Sequence, residues 1–486
     1  MGISSIGIGT NGLDVSSIIS KLLEIEQKPL TTLQTSATFI QTQISTYGKV
    51  QSLLSGVTTA ATALSKPTLW SQATVGSTNT AVTGSASAGA TPGSYSVQVN
   101  QLATAQSLAT SAFTGGGTTE LGAGKLKIEF GTWTAATAPA LPSFDDKSGS
   151  TPLELEFDSA TTTLEDVRKA INNAKAGVTA SIVTDATGAR LTIRSDKTGE
   201  ENALRISATD ANGVALSGGL AALSYAPDTG ATGGMTQTIA AANAKAQVNG
   251  LDVVSTTNTF TGAIENVSFT VSATTTSPAT LNVANDAASQ RKLVQDFVTA
   301  YNALNSYLVE QTKYDETSKI GGTLQGDSTV LTLRNQLRNM LRDTGAGTLN
   351  FLSLTSKSGD APRDGSITLD TAALDKALAD PAKMALLFAG DGSTSASGVK
   401  GMARKLADFT TALTGAGGSL TSRTEGLNKK LKLNQTEQDK VTDRVARTQE
   451  RLEKQYQALD ARMASLNSLS TYISQQVTQW NNSSSS

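Results

Sequence analysis

LNKKLKLNQTEQDKVTDRVARTQERL, residues 427–452, sets Leu427, Leu431, Asn434, Gln438, Val441, Val445, Thr448 and Leu452 at alternating steps of four and three. That spacing aligns them along one stripe of a helix and is the pattern of a coiled-coil seam. After one four-residue shift the stripe resumes at Tyr456, Leu459, Met463 and Leu466. The other end of the chain repeats the signature. In LTTLQTSATFIQTQISTYGKVQSLLSGVTTAA, residues 30–61, the same steps run through Leu30, Leu33, Ala37, Ile40, Ile44, Tyr47, Gln51, Leu54, Thr58 and Ala61. A helix bound to one compact domain rarely needs so long a stripe, so these segments are expected to pack on each other, on neighbouring subunits, or both.

Before Leu30 the pattern is interrupted. Asp14 or Ser16 can cap a first helix with apolar positions Ile18, Ile19, Leu22 and Leu23. Pro29 has no amide hydrogen, so it is expected to kink that helix or start the next one. The following helix should run to Leu64, about 50 Å at 1.5 Å per residue, and close at Lys66-Pro67.

From residue 70 to 283 the apolar period becomes two, as in Tyr95, Val97 and Val99 or Leu153, Leu155 and Phe157. Val267, Phe269 and Val271 repeat it near the end of this region. Such alternation describes strands with one face on a core and one toward solvent. One helix interrupts them, with Thr162-x-x-Glu165 read as its capping box and Leu164, Val167 and Ile171 as its stripe. Asn249-Gly250 reads as a hairpin turn. Helix then returns, with Asn285 as a cap and Leu293, Phe297, Tyr301, Leu304 and Leu308 along one face; Leu333, Leu337, Met340 and Leu341 line another helix.

The fold class that follows is multidomain α+β, with a helical leg formed by both chain ends and a central pair of β-rich domains inserted between them. The divisions fall at 1–29, a terminal leg segment; 30–69, the long N-terminal helix; 70–283, two β-rich domains, the outer one spanning 109–235; 284–454, the helical leg domain; and 455–486, a terminal leg helix with a Ser tail.

Composition removes most chemistries. The 486 residues contain no Cys and no His, so Ser-His-Asp triads, Cys-His pairs, His-ligated metal and disulfides are excluded. A net charge of -2 gives no electrostatic reason to expect nucleic acid. No apolar run has the length of a membrane span, and the opening residues lack the basic and apolar blocks of a cleaved secretory signal. Charged residues are only 16% of the chain and vanish between Lys66 and Glu120, where Ser, Thr, Ala, Asn and Gly replace them. Such a surface suits self-assembly, or a low-complexity spacer.

Apparent catalytic or binding motifs fail on spacing. The glycines 115–117, 122 and 124 with Lys125 miss the G-x-x-x-x-G-K-[ST] pattern of a phosphate loop. Asp360, Asp364 and Asp370 lack the alternating ligands of a calcium loop and read as turn residues. Glu154 and Glu156 share the solvent face of a strand. Arg334, Arg338 and Arg342, four apart, form a basic stripe that is either solvated or meets acidic partner residues. The candidate functional residues are therefore those of the stripes: Ile18, Leu22, Leu30, Leu33, Ile40, Ile44, Tyr47, Gln51 and Leu54 at one end; Leu427, Leu431, Asn434, Gln438, Val441, Val445, Leu452, Tyr456, Leu459, Ile473 and Val477 at the other. Gln51, Asn434, Gln438 and Thr448 sit where Leu or Ile would maximise stability, a substitution that can fix register or keep an unpartnered helix soluble. Ile473, Val477 and Trp480 form either a docking edge or a zipper against the N-terminal helix.

Several segments resemble one family in order and spacing. NGLDVSSIISKLLEIEQKPL (11–30), GSYSVQVNQLATAQSL (93–108), TTLEDVRKAIN (162–172), GVTASIV (177–183) and VNGLDVVSTTNTFTGAIENVSFTV (248–271) are similar to motifs of the flagellar hook-associated protein 2 family, the filament cap proteins of bacterial flagella. GGTLQGDS (321–328), DGSITLD (364–370) and DPAKMALLF (380–388) continue the resemblance. One departure is Ile264-Glu265-Asn266, where the family usually has Pro-Gly, which leaves the turn type open. The resemblance implies a non-enzymatic protein without cofactor. It would act as a ring-like homo-oligomer of about four to six subunits at the distal tip of the extracellular filament, promoting folding and insertion of flagellin. It further implies export through the flagellar type III apparatus, contact with hook–filament junction proteins, an export chaperone, and no membrane insertion. The alternatives are a secreted surface adhesin and a hook–filament junction or structural subunit.

Overall fold

The computed structural model describes residues 15–342, 349–354, 364–392 and 400–483. The chain forms two compact units, Met1–Pro67 with Ala288–Ser486, and Thr68–Ala287.

The first unit is helical. Its N-terminal helix is Val15–Leu64 and its C-terminal helix is Ser419–Ser483, 50 and 65 residues long. They run antiparallel, since Gln51 meets Thr424 while Glu26 meets Arg444. Pro29 lies inside the first helix and does not end it. A proline deletes one hydrogen bond and crowds the preceding turn, but the turns on both sides are anchored by Ile19, Leu23, Leu30 and Leu33 packing with the C-terminal helix. Tertiary packing thus outweighs a local cost of about 3 kcal/mol.

Helices Ala287–Thr312, Ser328–Arg342, Thr371–Leu378, Pro381–Ala389 and Met402–Thr414 join them, with two short antiparallel strand pairs, Tyr314–Asp315 with Ile320–Gly321 and Leu352–Leu354 with Ile367–Leu369. Val294, Phe297, Tyr301, Leu304 and Leu308 supply the buried face of the first of these. That helix starts at Ala287, because Asn285 is still the last residue of a strand, paired with Ala73. Asp370 and Asp380 cap the two short helices, accepting the amides of Ala373 and Lys383 at 3.0 Å each. Asp364 accepts the Ser366 amide at 2.9 Å. These two aspartates of the 360–370 segment thus hold turns and caps, while Asp360 lies outside the described residues.

The second unit contains two β cores with every strand pair antiparallel. One is a sandwich. A five-stranded sheet runs in the order Ala73–Ser77, Ala279–Asn285, Gly93–Gln101, Ala244–Val248, Leu251–Ser255, and a three-stranded sheet in the order Thr259–Ile264, Val267–Val271, Val82–Ala86. Val97, Val99, Phe260, Phe269, Leu281 and Val283 fill it, with the two Phe rings stacked at 4.7 Å. Asn249 and Gly250 both take positive φ, 51° and 82°, as their tight hairpin requires. The Glu265-Asn266 turn solves the same problem without Pro-Gly, because Asn266 enters the left-handed region at φ 59°.

The other core lies between the sheet centred on Gly124–Thr134 and the sheet ordered Thr236–Ile239, Ser107–Ala109, Gly188–Ser195, Val178–Asp185. Helix Leu164–Ala174 buries Leu164, Val167 and Ile171 into it. Its capping box is shifted by one residue from Thr162/Glu165: Thr163 Oγ1 accepts the Asp166 amide at 3.2 Å and the Asp166 carboxylate accepts the Thr163 amide at 3.1 Å. Thr162 instead donates its hydroxyl to the Ser159 carbonyl at 2.7 Å. Arg205 ties strands together on the polar side, bridging Glu129 at 2.8 Å and Asp146 at 3.4 Å.

Candidate assembly interface

The terminal helices share a seam that changes character along its length. Near the start of the N-terminal helix, Ile19 and Leu23 are buried with Val441 and Val445, and Leu30, Leu33, Leu452 and Tyr456 pack against them. Ile18 is half-buried and Leu22 is 41% exposed. The inward positions here are those reached by continuing the Leu33–Leu30 phase backwards through Pro29, to Glu26, Leu23 and Ile19. Glu26, half-buried at one of these positions, pairs with Arg444 at 3.5 Å. The proline hid this continuity in the sequence.

Further along, Ile40 and Ile44 are half-buried, and Tyr47, Val50, Leu54, Val57 and Ala61 are fully buried. Leu427 is buried and Leu431 half-buried on the C-terminal helix. The polar positions occupy the same stripe. Asn434 is buried and Gln438 half-buried, and Gln438 Nε2 donates to Asn434 Oδ1 at 2.6 Å. Gln51 donates to Thr424 Oγ1 at 3.5 Å across the seam, and Thr448 is half-buried.

A polar junction that no periodicity reveals joins three segments. Arg423 on the C-terminal helix donates Nε and Nη2 to Asp327 Oδ2 at 3.2 and 2.9 Å. The Thr329 amide donates to Asp327 Oδ1 at 3.0 Å, and Tyr47 is buried beside the pair. Burial works to raise the Asp327 carboxyl, but Tyr47, Arg423 and the Thr329 amide outweigh it and hold it below the usual range. Burial, with Asp327 adding to it, pushes the Tyr47 phenol up to about 12.

Beyond Tyr456 the stripe continues with Met463 half-buried and most other positions exposed. Leu459, Leu466, Ile473, Val477 and Trp480 keep the alternating step of the seam, yet Leu466 is 59% and Trp480 80% exposed. Leu469 and Tyr472 widen the apolar strip. Arg334 and Arg338 are half-buried on their helix and Arg342 is exposed.

No reactive constellation accompanies these surfaces; among the described residues no group of acidic side chains has the arrangement of a metal site. No helix among them is long and apolar enough to cross a membrane. A helical stem made from both chain ends, an inserted pair of antiparallel β cores and an exposed heptad stripe define a structural assembly protein, whose working parts are contact surfaces. The sequence carries the N-terminal and C-terminal regions described for flagellar hook-associated protein 2, at residues 11–106 and 241–468, and a flagellin hook IN motif at 147–197. It is 31% identical over 497 residues to flagellar hook-associated protein 2 of Escherichia coli K12, covering 99% of both chains. It is also 31% identical over 483 residues to the B-type flagellar hook-associated protein 2 of Pseudomonas aeruginosa, covering 94% of each. The crystal structure of the D1-D2-D3 domains of the flagellar cap protein FliD from Escherichia coli superposes with a TM-score of 0.62 at 31% identity, covering 79% of this chain and 99% of that one. The chain belongs to the flagellar hook-associated protein 2 family. It is a non-enzymatic flagellar cap protein of α+β fold.

Proposed function

We propose that the chain assembles as a closed ring at the distal tip of the filament, where it holds exported flagellin while each subunit folds and inserts. Self-association, contact with flagellin and an extracellular flagellar location follow from family membership. The finer reading assigns residues 30–69 and 284–454 to a leg, 70–283 to a head, and 1–29 with 455–486 to terminal elements that meet the filament or the hook–filament junction proteins. An export chaperone would shield those ends before assembly. The observation that carries this reading is the exposed stripe Leu459, Leu466, Ile473 and Val477, which keeps the heptad spacing of the seam while its side chains stay 45–59% exposed. A stripe of this length loses free energy in water and gains it on meeting a second helix, at about 25 cal/mol per Å² covered. The uncharged run between Lys66 and Glu120 adds a surface that buries without stranding charge.

Substituting Ile473→Lys with Val477→Lys tests the assignment in a motile strain. The expected outcome is unpolymerised flagellin released into the medium, with an unchanged melting temperature for the purified chain. Filaments of normal length and number would defeat the role given to this stripe.

A further inference from the structure

The helix Ser328–Arg342 carries two guanidinium groups, four residues apart, that form no ion pair among the described residues. Arg334 Nη1 donates to Thr312 Oγ1 at 3.1 Å, and Arg338 Nη2 donates to the Asp364 carbonyl oxygen. The Nε of each is buried without a partner. Among the described residues no carboxylate lies within ion-pair distance of either. The Asp364 carboxylate is turned onto Ser366, accepting its amide at 2.9 Å and its hydroxyl at 2.7 Å. Burial first, and Arg338 second, push Arg334 below its ordinary value, as expected for half-buried like charges.

The helix Ser419–Ser483 carries the complementary pair. Asp439 and Asp443 are exposed, also four residues apart, and among the described residues neither side chain forms a hydrogen bond or ion pair. Nearby charges are already engaged, Glu437 with Lys440 at 2.7 Å and Arg444 with Glu26 at 3.5 Å. Like charges at this spacing cost each helix a few tenths of a kcal/mol, on the order of 0.2–0.5. No contact joins the arginine pair to the aspartate pair within one chain among the described residues.

We propose that Arg334 and Arg338 receive Asp439 and Asp443 of a second copy of this chain. Both pairs rise about 6 Å along their helices, so two ion pairs form together. The planar guanidinium matches a carboxylate with paired hydrogen bonds, which fixes orientation as well as attraction. Because the basic and acidic pairs sit on different helices of each copy, the contact can repeat head to tail, the arrangement that generates a ring when its rotation closes. This inference rests on the self-assembly described above and names one contact of it.

Sedimentation of the full chain at low salt tests the pairing. Asp439→Lys with Asp443→Lys, at exposed positions that leave the fold intact by circular dichroism, is expected to weaken self-association about tenfold or more. Adding Arg334→Glu with Arg338→Glu to that variant is expected to restore it, and raising NaCl to about 0.5 M to weaken the wild type. Unchanged association of the aspartate variant, or a charge-swapped chain no better than it, overturns the pairing while leaving self-assembly standing. A wild-type chain that stays monomeric overturns both. Intact self-association with lost flagellin binding in the aspartate variant also overturns it and assigns these carboxylates to flagellin.

Discussion

The C-terminal helix contains two stretches with the same spacing and opposite fates. From Leu427 to Tyr456 its stripe packs along the N-terminal helix, while Leu459, Leu466, Ile473 and Val477 further on are exposed. A heptad pattern therefore reports that a helix can pack, and not what it packs on. The covered stretch spends its apolar residues on holding the unit together. The open stretch leaves them exposed, as the encounter proposed above requires.

The largest expected difference between the two comes from truncating one leucine in each. Leu54→Ala, at a fully buried seam position, should lower unfolding free energy by about 2–5 kcal/mol in urea denaturation. Leu466→Ala should change it by about 0.5 kcal/mol or less, because the side chain is 59% exposed. A comparable loss at both positions would break the distinction.

A middle-sized effect belongs to the polar junction in the covered stretch. Asp327→Asn leaves Arg423 partly buried without its counter-charge and should cost about 2–3 kcal/mol, discounted because Arg423 is 35% exposed. The sign with pH follows from the direction of the shift. Asp327 is held below its usual value, so its contribution is complete above about pH 4 and fades as pH falls through the lowered value. Tyr47 is raised, so its contribution is complete below about pH 10 and is lost as pH rises through about 12. Stability curves of wild type and Asp327→Asn should converge in acid, while in strong base wild type should fall relative to Tyr47→Phe, because only wild type must bury an ionising phenol.

The smallest effect sharpens why the covered seam is not fully apolar. Replacing Asn434 and Gln438 by Leu should stabilise the unit by about 1 kcal/mol, or shift its register, and slow filament growth. Unchanged stability and growth would remove any role for those two polar residues in tuning the seam.

Much of this layout was legible in local pattern. The stripe from Leu30 to Ala61 and the one from Leu427 to Leu452 form helices over their whole length, and the period-two segments form strands. Reading failed where a local signal was overruled. Pro29 marks a break by its own chemistry, but packing on both sides carries the helix through it, which moves the inward positions from Ile18 and Leu22 to Ile19 and Leu23. Thr162 and Thr163 both precede an acidic residue by three, Glu165 and Asp166, so only the backbone start of the helix selects between the two boxes. Asn285 could cap a helix or end a strand, and its pairing with Ala73, far off in sequence, selects the strand.

By itself the sequence determined the periods, the turns that need Asn or Gly, and the absence of the side chains that most catalysis requires, because these depend on residues within a few positions of one another. Only the tertiary structure decided which stretch of the C-terminal stripe is buried, that Asp327 meets Arg423 beside Tyr47, and that Arg334 and Arg338 meet no carboxylate among the described residues. Each of those depends on segments tens or hundreds of residues apart meeting at angstrom precision, and neither spacing nor composition encodes that distance.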